Sequence, residues 1–177
     1  VEDVQRLGEV VEDLLVAADP RADDERVDVD VADLAAQVVA SAEAHAEVAG
    51  VRLVLSAHQP VTVVGAPAAL RRALVSLVDN AVDHTPTGGE VRVEVRPRRS
   101  EVVLRVSDTG PGVPHDQQRH VLTRFHSGGH RAGRTHYGLG LALTHDVANR
   151  HGGRLRLVPS SAGAVFELVL PLAPRKA

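Results

Sequence analysis

Apolar residues recur along this chain in two rhythms, and the places where the rhythm changes divide it into elements. Val4, Leu7, Val11, Leu14 and Ala18 are spaced alternately by three and four, the stripe of a coiled-coil or bundle helix. Asp19-Pro20 ends it, because the residue before a proline is driven out of helical dihedrals. A lone helix of this length, about 18 residues, is marginal in water. Its expected partner is a second copy of itself or a helix not present here; packing onto its own domain is the alternative. An acidic connector at 21–26 leads into an amphipathic helix over 31–48, with Asp30 as N-cap and Gly50 as terminator. Segments 51–56 and 61–64 read as short strands. Pro67 opens another helix that runs to about His84, where Thr85-Pro86-Thr87-Gly88-Gly89 stops it. Leu74, Leu77, Val78, Ala81 and Val82 form the stripe expected to be buried, with Asn80 beside it on the helix surface.

From 90 to 96 and from 101 to 107 the period becomes two, which predicts a hairpin. A short helix is expected from Pro114 to about Leu122, then an irregular stretch to Tyr137. Gly138 opens a helix to about Arg150, Gly152-Gly153 breaks it, and strands at 154–158 and 164–170 close the chain. Hairpins outweigh strand–helix alternation. The predicted class is α+β, a two-layer sandwich whose mixed, mostly antiparallel sheet is covered by helices on one face.

Composition narrows the chemistry. The 177 residues contain no Cys, Met or Trp, and the only aromatics are Phe125, Tyr137 and Phe166, so Val, Leu and Ala must build the core. Disulfides, Cys-bound zinc and thiol catalysis are excluded. No apolar run approaches the ~18–20 residues that span a bilayer, and no signal peptide is visible. The chain begins with Val and is read as a soluble piece of a longer protein. A net charge of −3 argues against nucleic acid as the partner. The charge is uneven, however. Residues 1–30 hold eleven acids against Arg6, Arg21 and Arg26, whereas in 113–137 Arg119, Arg124, Arg131 and Arg134 face only Asp116, among five histidines. A cationic, His-rich loop suits an anionic ligand; a solvated loop is the plainer reading.

Three short segments carry the candidate chemistry. Asp108-Thr109-Gly110-Pro111-Gly112 follows a strand and is a turn signal, but its carboxylate and alternate glycines also suit close approach to a flat polar ligand. Asn80 offers a hard amide oxygen of the kind Mg²⁺ accepts while keeping waters and phosphates. Gly138-Leu139-Gly140-Leu141 opens a helix and offers free N–H groups and the positive end of a dipole to phosphate. It is not a dinucleotide fingerprint, since Leu143 stands where a third glycine belongs, and no P-loop is present. Together the three point to ATP bound without a P-loop.

These segments resemble the catalytic, ATP-binding domain of bacterial sensor histidine kinases, a branch of the GHKL superfamily. Leu77-Val78-Asp79-Asn80-Ala81 with His84-Thr85-Pro86 is similar to the asparagine box. The run from Val106 to Pro114 resembles the first glycine box, Arg124-Phe125 the phenylalanine box, and Gly138 to Leu143 the second glycine box. His151-Gly152-Gly153 and Phe166 to Pro171 complete a likeness covering about residues 27–172. It implies four parts: the end of a dimerisation and phosphoacceptor bundle helix at 1–19, a linker at 20–27, the catalytic domain at 28–173 and a tail at 174–177. The implied ligands are ATP and Mg²⁺. Asn80 would hold the metal, and Asn80 and His84 would serve catalysis. Asp108 would bind the adenine amine, with Gly110, Gly112 and Val113 around the base. Asp83, His84, Arg124, Phe125, Tyr137, Gly138, Leu139, Gly140 and Leu141 would complete the nucleotide site, and 113–137 would form its lid. The implied partners are the parent's helical bundle in a homodimer and a response regulator, in the cytoplasmic portion of a membrane-bound sensor.

The chain departs from the family's pattern at the phosphate end. Asp83 stands where the family has a basic residue, His84 replaces a common Tyr, Leu122 replaces the first Phe of its box, Ser127 an Arg, and Tyr137 a Ser or Thr. Ser76 occupies the position at which the superfamily's ATPases carry the Glu that activates water, so transfer to a protein acceptor is favoured over hydrolysis. None of the ten histidines has the acceptor context: His115 and His145 precede Asp but lack the rest. The acceptor is therefore expected upstream in the parent. The alternatives are a degenerate nucleotide-binding or dimerisation module, and a GHKL Ser kinase or ATPase. His126, His130 and His136 have a spacing permissive of a metal but read better as solvated or phosphate-facing.

Overall fold

The computed structural model describes residues 25–114, 118 and 139–174. The helix expected at 1–18, the short helix after Pro114 and the irregular stretch to Tyr137, Gln118 aside, lie outside the described residues. The described elements run β1 (Val27–Asp30), α1 (Val31–Ala49), β2 (Arg52–Ser56), β3 (Thr62–Gly65), α2 (Pro67–His84), β4 (Glu90–Pro97), β5 (Glu101–Asp108), α3 (Leu139–Arg150), β6 (Arg154–Leu157) and β7 (Val165–Pro171).

Local chemistry sets the helix ends. Asp30 caps α1 as expected: its Oδ1 accepts from Ala32 N at 2.9 Å and also from Val61 N at 3.1 Å, tying the cap to the start of β3. Gly50, at φ 68°, ends the helix in the left-handed region. Pro67 sits in the first turn of α2, where a missing N–H costs nothing. At the other end Thr85 Oγ1 donates to Ala81 O at 2.6 Å. The predicted stripe of α2 is buried in full, extended upstream by Ala69, Leu70 and Ala73.

Five strands in the order β2-β4-β5-β7-β6 make the main sheet. β2 and β4 are parallel, joined by a crossover that contains α2, and the remaining pairs are antiparallel. α1, α2 and α3 cover one face. Val91 and Val93 of β4, Leu104 and Val106 of β5, and Phe166 and Leu168 of β7 join the helices in a continuous core. The α+β sandwich is thus present, with one difference: β3 does not join this sheet but pairs antiparallel with β1, as a separate ribbon. β1 was hidden in sequence because Val27-Asp28-Val29-Asp30 alternates over only four residues, between the acidic connector and the helix that Asp30 caps.

The face of the sheet away from the helices carries an ion-pair lattice around the buried Val103, Val165 and Val169. Arg105 lies 3.7 Å from Glu94 and 3.5 Å from Glu167, and Arg156 donates to Glu167 at 2.8 Å, linking β4, β5, β7 and β6. Glu167 is buried, so these pairs satisfy its carboxylate, while the apolar layer supplies most of the burial that holds the domain together. The layer also directs the ends of β5 and α2 to one side of the molecule.

Candidate functional site

Strand alternation aims Asp108. Val102, Leu104 and Val106 point from β5 into the helix layer, and Asp108, two residues on, points the same way. The residue is 7% exposed. Its Oδ1 accepts from Gly110 N at 2.8 Å and Ala164 N at 3.1 Å, and its own N–H donates to Ala164 O at 3.0 Å. The second carboxylate oxygen has no donor among the described residues. A buried carboxylate with one oxygen fixed by backbone and the other unengaged is a preset acceptor.

The glycines around it are required by packing. A Cβ on Gly110 would overlap the carbonyl oxygen of His84, so the loop after β5 lies directly on the end of α2. Gly112 has φ 71°, and a Cβ there would come within 2.9 Å of Gly163 O. Gly163 itself has φ 70°, and its Cβ would overlap Asp108 O. Gly163 thus closes the site from the β6–β7 loop, and sequence reasoning did not assign it; the small, polar run Ser160-Ser161-Ala162-Gly163 between two strands was the available signal. Val113 is half-buried at the margin of the core, and Gln118 Nε2 donates to its carbonyl at 3.0 Å.

The other half of the site lies between α2 and α3. A Cβ on Gly140 would overlap Ser76 Oγ, so the first turn of α3 sits against the middle of α2. One turn along, the fully buried Thr144 Oγ1 lies 3.2 Å from Ala73 O and 2.9 Å from Gly140 O. Leu141 is buried beneath. Asn80 is four residues beyond Ser76, hence on the same face of α2 and about 6 Å further along; it is half-exposed. His84 follows on that face. Burial pulls its pKa below the ordinary value, against the opposing pull of the Asp108 and Asp83 carboxylates, so at neutral pH its ring is uncharged.

Asp83 faces elsewhere. Its Oδ1 is 3.1 Å from Nε2 of His45 on α1, and Asp79 Oδ1 is 3.8 Å from Nδ1 of the same ring. The carboxylate therefore engages α1 rather than the α2–α3 face that carries Asn80. Asn80, His84, Asp108, Gly110, Gly112, Gly140 and Leu141 belong to one edge of the fold. Arg124, Phe125, Tyr137 and Gly138 lie outside the described residues, as does the side chain of Leu139. A cavity of ≈ 270 Å³ opens behind Asp108, lined by Arg92, Arg105, Ser107 and Val165 on the face of the sheet away from the helices, with no residue from α2 or α3. Among the described residues no helix is long and apolar enough to cross a membrane.

Residues 65–174 match the family described as histidine kinase-, DNA gyrase B- and HSP90-like ATPases. The chain is similar to AfsQ2 of Streptomyces coelicolor, a signal transduction histidine-protein kinase, with 35% identity over 98% of this chain and 32% of that protein. It is 40% identical to the histidine-protein kinase/phosphatase MprB of Mycobacterium avium over 62% of this chain and 22% of that one. It thus spans about a third or less of these curated relatives. Among solved structures, the ATP binding domain of PrrB from Mycobacterium tuberculosis superimposes with a TM-score of 0.68 at 31% identity, over 85% of this chain and 100% of that domain.

Proposed function

Because the chain belongs to the family of histidine kinase-, DNA gyrase B- and HSP90-like ATPases, we propose that this edge of the fold binds ATP and, in the parent protein, delivers its γ-phosphate to a histidine. The observation that carries the reading is the Asp108 carboxylate, one oxygen fixed by two backbone N–H groups and the other left to accept from the exocyclic amine of adenine. Gly110, Gly112 and Val113 lie around the base. Residues 113–137, with Arg124 and Phe125, serve as a lid, and Tyr137 to Leu141 take the phosphate side. The first turn of α3 contributes N–H groups without helical partners and the positive end of its dipole.

Asn80 fits a metal that arrives with the phosphates: it is a single neutral oxygen on a half-exposed helix face rather than part of an acidic cage. Bound there, Mg²⁺ supplies charge neutralisation at the phosphates. His84 acts as an uncharged hydrogen-bonding group, and Asp83, held toward α1, stays outside the ligand set. The reaction breaks the bond between the γ-phosphorus and its bridging oxygen, leaving ADP, and forms a phosphorus–nitrogen bond to an imidazole. Catalysis is mostly positioning. Position 76 carries a hydroxyl packed on Gly140 rather than a carboxylate, so a water has no base there and transfer is favoured over hydrolysis.

The acceptor histidine belongs to a helical bundle of a dimeric parent, of which residues 1–19 are the end, 20–27 the linker and 28–173 the catalytic domain. A response regulator takes the phosphoryl group onward. The parent is a membrane sensor with this portion in the cytoplasm. The test is ATP affinity with and without Mg²⁺, for the chain and for Asp108→Ala. Expected are tighter binding with the metal and a loss of about 10–100-fold in the variant, the scale of a hydrogen bond to a charged group. Unchanged binding in the variant would remove Asp108 from the site. Labelled ATP with a supplied phosphoacceptor bundle then separates a kinase from a module that only binds nucleotide.

A further inference from the structure

The contact between Ser76 and Gly140 is a tight point between two helices, and it sits one turn from Asn80. Gly140 belongs to a glycine pair that reads in sequence as phosphate-binding backbone. In the structure its missing side chain answers to something else: a Cβ there would overlap Ser76 Oγ and lie 3.4 Å from Ser76 Cβ. Four residues on, Thr144 Oγ1 reaches across to Ala73 O, so the same two helices meet again one turn lower. The seam therefore has two fixed points, and the first lies in the opening turn of α3, which is proposed to take the phosphates. From these we infer that Ser76 is a positioning residue for phosphate binding: by packing on Gly140 it sets how closely the first turn of α3 approaches the Asn80 face of α2.

Ser76 touches no ligand in this scheme. It acts through the placement of a helix end, whose influence on an anion fades within its first turn. A small shift of that end weakens binding of the phosphates and leaves the base end unchanged, because Asp108, Gly110 and Gly163 are held by β5, the end of α2 and the β6–β7 loop. The inference rests on the ATP reading above, and adenosine separates the two.

The experiment compares ATP and adenosine affinity for the chain and three variants: Ser76→Leu, Gly140→Ala, and Gly140→Ala with Ser76→Ala. A leucine at 76 cannot rotate clear of Gly140, so it is expected to weaken ATP by about tenfold or more while adenosine stays within about twofold. Gly140→Ala meets only a hydroxyl, which rotates in part, so a loss of about three- to fivefold is expected. Removing that hydroxyl in the double variant leaves the 3.4 Å carbon contact and restores ATP affinity to near the parent value. Equal loss of ATP and adenosine in Ser76→Leu overturns the inference, since Ser76 then supports the whole domain. Failure of the double variant to recover also overturns it, because Gly140 would then touch the ligand itself. A parent chain that binds adenosine but gains nothing from the phosphates sinks this role and leaves the base site standing. A chain that binds neither sinks the ATP reading with it.

Discussion

The base end and the phosphate end of the site are built by different means. At the base end a strand aims Asp108, and backbone groups of Gly110 and Ala164 hold its carboxylate. Five consecutive residues supply one side of that geometry, and Gly163-Ala164 supply the other. The phosphate end has no such local frame. Asn80 and His84 stand on α2, the helix end belongs to α3 more than fifty residues later, and the two meet through Ser76, Gly140, Ala73 and Thr144. The base end is held by backbone groups of two loops that meet at Asp108; the phosphate end, assembled by helix packing, depends on side chains that never touch the ligand.

The largest expected effect tests the base end at its acceptor. Asp108→Asn keeps an oxygen for Gly110 N and Ala164 N but turns an amide donor toward the amine of adenine. ATP affinity should fall about 10–100-fold, as for loss of a hydrogen bond to a charged group. The fold should be spared, with the melting temperature moved by less than about 3 °C, roughly 1 kcal/mol for a domain of this size. Asp108→Ala leaves two buried donors unsatisfied and should lower both quantities. If the Asn variant bound ATP normally, the base end would have another acceptor, and the contrast between the two ends would lose its anchor.

Next in size is Gly163→Ala. A Cβ there overlaps Asp108 O, and φ 70° is already costly for alanine by about 1–2 kcal/mol. A fall of about 5–10 °C in melting temperature is expected, with ATP and adenosine weakened together. A loss confined to ATP would place Gly163 at the wrong end.

How much of this was readable beforehand follows the same division. The α2 stripe and the cap at Asp30 were legible because each is a local pattern with a local cause. So was the strand that leads into Asp108, which the period of two marked over 101–107. β1 was not, since its four residues alternate too briefly and its pairing with β3 is a tertiary event. Nor was the departure of β3 from the main sheet. Gly163 was missed because its need for a glycine arises from Asp108, fifty-five residues away, and nothing in the sequence states that contact. Asp83 read as a defect at the phosphate end; the His45 ring that turns it toward α1 lies on another helix. Ser76 signalled only what it lacked, a carboxylate, whereas its packing against Gly140 appeared with the fold.

A smaller effect probes the helix seam. Thr144→Val keeps the shape of a fully buried side chain and removes the hydroxyl set between Ala73 O and Gly140 O. A net loss of about 0.5–1.5 kcal/mol corresponds to a fall in melting temperature of about 2–5 °C. If the seam sets the phosphate end, ATP affinity drops a few-fold, on the order of 1 kcal/mol, while adenosine is unaffected. Equal changes in both ligands would mean that the seam serves the whole fold, and the two ends would be less separable than their construction suggests.

The smallest effect concerns His84, where the ends meet: its carbonyl lies on Gly110 and its ring lies on the Asn80 face. Burial lowers the pKa of that ring in the folded state. The unfolded chain therefore takes up the proton first as pH falls through about 6.5, the ordinary histidine value. Across that window the unfolded state binds more protons than the folded one, so stability rises with pH. Above the ordinary value the contribution vanishes; below the folded-state pKa the full penalty is present. Melting temperature should accordingly increase between about pH 5 and pH 7, and His84→Gln, which keeps hydrogen-bonding capacity without titrating, should flatten part of that slope. An opposite slope attributable to His84 would mean that Asp108 and Asp83 outweigh burial. The phosphate end would then favour the protonated ring, a positive charge that Asp83 does not supply.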